Sequence, residues 1–302
     1  MPLDELTISH RARAELASIL PTLRFIATHP LSSRRPFSAF WRYGRWQIES
    51  RLRPEIEFSW IEGSKLIVRN GMTGATGNIY CGLHEFVDMA FVLHLLRPGD
   101  LFVAVGANIG SYTVLASAVC GAQTIAFEPD PETIRALQRN IAANGIGDRV
   151  AVVEAAVGAR PGRVHFTIGK DTTNRVLPQS GTATREVDLR TLDDVLENKH
   201  PLLIKIDVEG FEREVISGAE STLSNPMLQA ILIETVEDDV RARLHTSGFQ
   251  QAAYDPFGRQ LLAAGEEYPN SGGHNALFVR DFEMCRRRVR SAAVRDIFGQ
   301  RV

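Results

Sequence analysis

From Leu101 onward, short apolar runs alternate with segments of helical periodicity. Residues 101–105, 124–128, 150–157, 202–207 and 228–234 read as buried strands, and 111–120, 131–143, 211–217 and 238–246 as the helices between them. Alternation of this kind predicts an α/β fold, a parallel sheet with helices on both faces. Residues 164–168 and 185–189 read as an inserted strand pair, and 251–254 and 276–279 as two late strands. Upstream, 65–69 reads as a strand, 70–77 as turns, and 83–96 as a helix closed by Arg97-Pro-Gly99. Further upstream still, Phe37, Phe40, Trp41, Gly44 and Ile48 recur at helical spacing, which predicts an amphipathic helix. Its apolar face suits packing on the domain that follows. With the arginines around it, the same segment also suits a lid or a surface that meets substrate, partner or membrane. The chain thus divides into a helical, aromatic and basic extension (1–60), an α/β domain (61–282) and a basic tail (283–302) whose Arg286-Arg-Arg-Val-Arg290 suits a solvated helix.

The chemistry concentrates where the first strand of the alternating region ends. Gly106-Ala-Asn108-Ile-Gly110 links that strand to a helix, and glycine lets backbone N–H groups approach a ligand with no Cβ in the way. Glu128 ends the next strand, 22 residues after Gly106, where an acid accepts hydrogen bonds from ribose hydroxyls. The same residues would also serve a buried turn and a helix cap. A dinucleotide loop needs G-x-G-x-x-G; here Asn108 stands at the second glycine and Ser111 at the third. Asn visits the left-handed region readily, so a G-x-G-x-G turn survives, a pattern that fits S-adenosylmethionine (SAM) better than a nicotinamide dinucleotide.

Composition narrows the class. The chain has 302 residues, 44% hydrophobic and 23% charged, enough for one sizeable domain plus an extension. A net charge of −2 gives no sign of nucleic-acid binding. Cys81, Cys120 and Cys285 lack metal or disulfide spacing. No apolar run reaches membrane-spanning length, and no secretory signal pattern opens the sequence, so the cytoplasm is the expected compartment.

Residues from about 70 to 280 resemble the FkbM family of SAM-dependent methyltransferases. The matching pieces are Arg97-Pro-Gly-Asp100, Val105-Gly-Ala-Asn-Ile-Gly110, Phe127-Glu-Pro-Asp130 and Leu203-Ile-Lys-Ile-Asp207-Val-Glu209-Gly-Phe-Glu212, the last being the most specific. The resemblance implies a Rossmann-like sheet of seven strands with the last antiparallel, SAM as cofactor, and O-methylation of a hydroxyl on a sugar, glycan or secondary metabolite. One departure stands out: the family has an acid in the first strand, and this chain has Ala104. That departure motivates a second reading, a SAM-fold binding or scaffold protein without catalysis. An NAD-dependent oxidoreductase is a third, disfavoured by the missing third glycine.

The expected cofactor residues are Gly106, Asn108, Gly110, Glu128, Ala155 along the adenine, and Asp207. Glu85 joins them because the family has a similar Gly-x-x-Glu. Asp207 and Glu209 are the candidate bases, with Lys205 placed to pair with either. Glu212 suits plain helix-start chemistry. Asp171, Asn174 and Arg175 are candidate acceptor contacts, and His274 is a further candidate base. Asp207 and Glu209 imply no third metal ligand by spacing, so no metal is assigned. The expected partner is a small-molecule or glycan acceptor; peripheral membrane contact stays open, and no residue specifies the oligomeric state.

Overall fold

The apolar runs of the central strands are buried on both faces, as parallel strands between helical layers must be. The computed structural model describes residues 10–167, 176–177, 184–263 and 275–302. Helices α1 (His10–Thr28) and α2 (Pro36–Leu52) come first, then a hairpin of β1 (Ile56–Ser59) and β2 (Lys65–Val68), then α3 (Thr73–Cys81) and α4 (Phe86–Leu95). The α/β region follows with β3 (Leu101–Val105), α5 (Ser111–Val114), β4 (Gln123–Phe127), α6 (Pro131–Ala143) and β5 (Val150–Val153). Next come β6 (Ala156–Val157), β7 (Gly162–Thr167), β8 (Val176–Leu177), β9 (Thr184–Arg190), β10 (Leu203–Ile206) and β11 (Ala230–Ile233). Strands β12 (Gln250–Asp255), β13 (Gln260–Ala263) and β14 (Ala276–Val279) complete the sheet.

Among the described residues the main sheet has eight strands, in the order β13-β12-β14-β11-β10-β3-β4-β5. From β5 to β11 all neighbours are parallel, and β14 is antiparallel to both β11 and β12. Seven strands were expected; the eighth is β13, which folds back on β12 as a hairpin. Chain order reverses at β3: β4 lies on one side and β10 on the other. A crevice opens beyond the carboxyl ends of strands at such a reversal, and ligands bind there. The 150–157 run is split, with Val150–Val153 in the main sheet and Ala156–Val157 in a second sheet with β9, β7 and β8.

Three local expectations are corrected. Residues read as turns begin α3, because Ile79, Tyr80 and Cys81 are buried and their packing outweighs the weak helix propensity of Thr-Gly-Ala-Thr-Gly. The C-terminal segment is not a solvated helix: Phe282–Arg290 buries Cys285 and Val289, and a small hairpin of Asp296–Ile297 with Gln300–Arg301 follows. Arg288 there reaches Asp100 at 2.5 Å. Finally, α2 forms, but it packs through Ala39, Trp46 and Ser50, while Phe37, Trp41 and Ile48 face solvent. Arg42 on α2 donates to the carbonyls of Ile79 and Tyr80 and anchors the helix to α3.

Candidate functional site

At the reversal point lies a cavity of about 320 Å³, on the scale of small-molecule sites. Glu85, Gly106, Asn108, Glu128, Ala155, Asp207 and Glu209 all line it. Gly110 does not. It caps α5 in the left-handed region (φ +94°), and a Cβ there would meet Leu137 at 2.5 Å. Its role is to hold the turn. Asp171, Asn174, Arg175 and His274 lie outside the described residues.

The glycine loop is fixed by its neighbours. Gly106 has φ +79°, and a Cβ on it would lie 1.9 Å from the Asp207 carbonyl oxygen. Only glycine lets the loops after β3 and β10 come this close. Asn108 takes φ +52°, with its own Oδ1 accepting from the Ile109 N–H at 2.6 Å. The Asn108 N–H donates to Glu128 Oε2 at 2.9 Å, and the Asp130 N–H donates to Oε1 at 3.0 Å. Glu128 thus ties the loop to the end of β4 while keeping lone pairs for a ligand. Its burial pushes the carboxyl up to about 7, against these two amide bonds. Asp130 caps α6, accepting from the Thr133 N–H at 3.3 Å, with Pro131 at the first helical position.

The opposite wall is apolar: Ala155, Ala156 and Val157, with Phe166 from β7 and Val176 from β8. Phe166 was not among the sequence candidates. The inserted sheet brings it to the cavity, and a strand pair's register with a distant sheet leaves no local signature.

The floor is a charged cluster. Lys205 is buried in β10 and donates to Asp207 Oδ2 at 2.5 Å, with Glu85 Oε2 at 3.9 Å. Burial alone would lower its ammonium, but Asp207 and Glu85 outweigh that and hold it above its ordinary value. The Tyr112 hydroxyl donates to Glu85, and the Tyr112 ring lies 4.6 Å from the Lys205 ammonium. Asp88 beneath accepts from Asn275 Nδ2 at 2.8 Å; burial raises it to about 6. Ala104 stands beside Lys205 in register on the adjacent strand. Alanine there offers no charge, and Lys205 takes its counter-charge from Asp207 and Glu85.

Asp207 and Glu209 converge with a third carboxylate, Glu234, at the end of β11; one oxygen of each lies within 4.8 Å of the others. The turn that brings them together puts Glu209 at φ +54° and Gly210 at φ +91°. Burial, then the Asp207 charge, raises Glu234 to about 7. Glu234 is not among the residues expected from sequence; its one local signal is its place at a strand's carboxyl end, as for Glu128 and Asp207. The three oxygens are close enough to share a cation, as acidic groups at a cleft often are without one. Glu212 does not line the cavity; it is buried and accepts from the Gly210 N–H at 3.3 Å, as a helix-start acid would.

Residues 104–250 match the family model of the methyltransferase FkbM domain. The chain is 29% identical over 226 residues to 31-O-demethyl-FK506 methyltransferase FkbM of Streptomyces tacrolimicus, covering 60% of this chain and 84% of that relative. It is 24% identical over 207 residues to methyltransferase sdnD of Sordaria araneosa, with coverages of 54% and 79%. Hexuronic acid methyltransferase AglP of Haloferax volcanii is 27% identical over 137 residues, 44% of this chain and 56% of that relative. Among the described residues no helix is long and apolar enough to cross a membrane.

Proposed function

We propose that this chain, which carries an FkbM methyltransferase domain across residues 104–250, binds SAM in the cavity beyond β3, β4 and β10 and methylates a hydroxyl of a small-molecule or glycan acceptor. Glu128 is the observation that carries the cofactor half. A buried carboxylate, oriented by two backbone amides and facing a cavity, suits a pair of ribose hydroxyls. The residues present fit the rest of the group: a glycine loop with no Cβ at its closest approach, and an apolar wall of Ala155, Ala156 and Phe166 for a flat base. Two relatives are named for an O-demethyl substrate and for a hexuronic acid, which supports a hydroxyl-bearing acceptor.

When bound, the cofactor supplies a methyl carbon activated by its sulfonium. The chain's part is alignment and proton management. Lys205 holds Asp207 in place at the cavity floor, so the acid that borders both donor and acceptor stays in one rotamer. Glu234 is the proposed base: it lines the cavity with one oxygen within 4.8 Å of those of Asp207 and Glu209, and burial beside the Asp207 charge raises its carboxyl, so it takes a proton from a hydroxyl more readily than an ordinary acid. Asp207 and Glu209 then serve mainly to orient the acceptor.

Two outcomes test this. Glu128→Ala is expected to weaken SAM binding by about 1–3 kcal/mol in calorimetry. Ribose hydroxyls prefer the ionised acid, so wild-type affinity should rise from about pH 6 to about pH 8, and the variant's more shallowly, since Glu234 in the same cavity still titrates. A wild-type profile no steeper than the variant's would remove Glu128 from the site. Glu234→Gln is expected to slow transfer of labelled methyl from SAM to a hexuronic acid by about 10²–10⁴-fold, with SAM affinity nearly unchanged. Equal rates for the two proteins would return the base assignment to Asp207 or Glu209.

A further inference from the structure

The solvent face of α2 is its apolar face. Phe37 is 91% exposed, Leu52 76%, Trp41 64% and Ile48 63%. At about 100° per residue these four fall within an arc of about 60°, opposite the buried Ala39, Trp46 and Ser50. Phe40 flanks the stripe, and Leu20 on α1 adds to the exposed apolar surface of the same layer. Single exposed apolar residues need no explanation; a row of aromatic and aliphatic side chains along one helix face does.

Charge selects the occupant. Residues 19–54 hold seven arginines and one acid, Glu49, which Arg45 engages; Arg42 is committed to α3, and the other six arginines are exposed. Arg45 lies 5.7 Å from the Trp41 ring, and Arg51 and Arg53 are exposed at the end of the helix. A second copy of this face would bring like charge against like. An anionic bilayer offers the complement: phosphates for the arginines and an acyl boundary for the rings. We propose that α2 docks the protein on anionic phospholipid surfaces, with Phe37, Trp41, Ile48 and Leu52 inserted and the flanking arginines at the headgroups. The layer borders the cavity, since Phe25 of α1 packs edge-on against His84, which lines it, with ring centroids 5.2 Å apart. The proposal does not depend on the identity of the methyl donor.

Trp41 makes the test specific, because Trp46 and Trp60 are buried. The full chain is mixed with phosphatidylcholine vesicles, with and without phosphatidylglycerol. The expected result is co-sedimentation and a blue shift of tryptophan emission, about tenfold stronger with phosphatidylglycerol and weakened by salt. Phe37→Ser/Trp41→Ser should unfold at the wild-type temperature, both side chains being exposed, and lose vesicle binding by about tenfold or more. Absence of any binding to the phosphatidylglycerol vesicles would overturn the proposal. So would binding that ignores lipid charge. A self-association in ultracentrifugation that the double variant abolishes, without vesicle binding, would assign the face to a second copy instead.

Discussion

Gly106→Ala is expected to cost about 3 kcal/mol or more of stability and to lower SAM affinity by more than about 100-fold. Two effects add. A non-glycine residue at φ +79° is strained by about 1–2 kcal/mol. The larger effect is steric: the new Cβ, rigidly placed by its own backbone, would lie 1.9 Å from the backbone carbonyl oxygen of Asp207. Relief requires parting the loops after β3 and β10, which opens the cavity and breaks the Asn108 amide contact with Glu128. Gly210→Ala is the control. It shares the backbone requirement at φ +91°, but its Cβ would meet open space, so about 1 kcal/mol is expected. Denaturant melts of the two variants separate strain from collision. Equal losses would mean that the close approach of the two loops does not hold in solution.

Lys205→Met is expected to cost about 3–5 kcal/mol, the usual consequence of stranding buried charge. Lys205 is 4% exposed and faces Asp207 at 2.5 Å and Glu85 at 3.9 Å, with Asp88 behind them. Methionine keeps the volume and removes the ammonium. Because Asp207 retains some contact with solvent, the lower end of that range is the better expectation. The deficit should shrink as pH falls, since protonating the stranded carboxylates removes the repulsion. Glu85→Gln in the same background should recover part of the loss. A Lys205→Met variant as stable as wild type at neutral pH would show that the cluster is hydrated rather than buried.

Much of this architecture is legible in the chain. The central strands are continuous apolar runs because both faces are covered, and their spacing by helical segments announces a parallel sheet. The loop with Gly106 and Asn108 and the acid at Glu128 are legible because each answers a local demand: a positive φ, a close approach, a strand end. What was missed depends on partners far away in sequence. The stripe of Phe37, Trp41 and Ile48 was open to packing or to a free surface, since periodicity reports only that a face is apolar, not whether anything covers it. Trp46 and Ala39 take the packing role because α3 meets that side. Helix α3 itself was hidden by two glycines and two threonines, and forms because Ile79 and Tyr80 bury. Glu234 reads as the end of an ordinary strand; its meaning comes from β11 lying next to β10, which sets its carboxylate beside Asp207. Ala104 alone suggested a lost contact. Its register places it beside Lys205, whose ammonium is held by Asp207 and Glu85.

The most direct measurement of the central claim is calorimetric titration of the full chain with SAM, S-adenosylhomocysteine and NAD. One-to-one micromolar binding of both adenosyl ligands, with no heat from NAD, is the expected result. Failure of both adenosyl ligands to bind, or binding of NAD in their place, would contradict it.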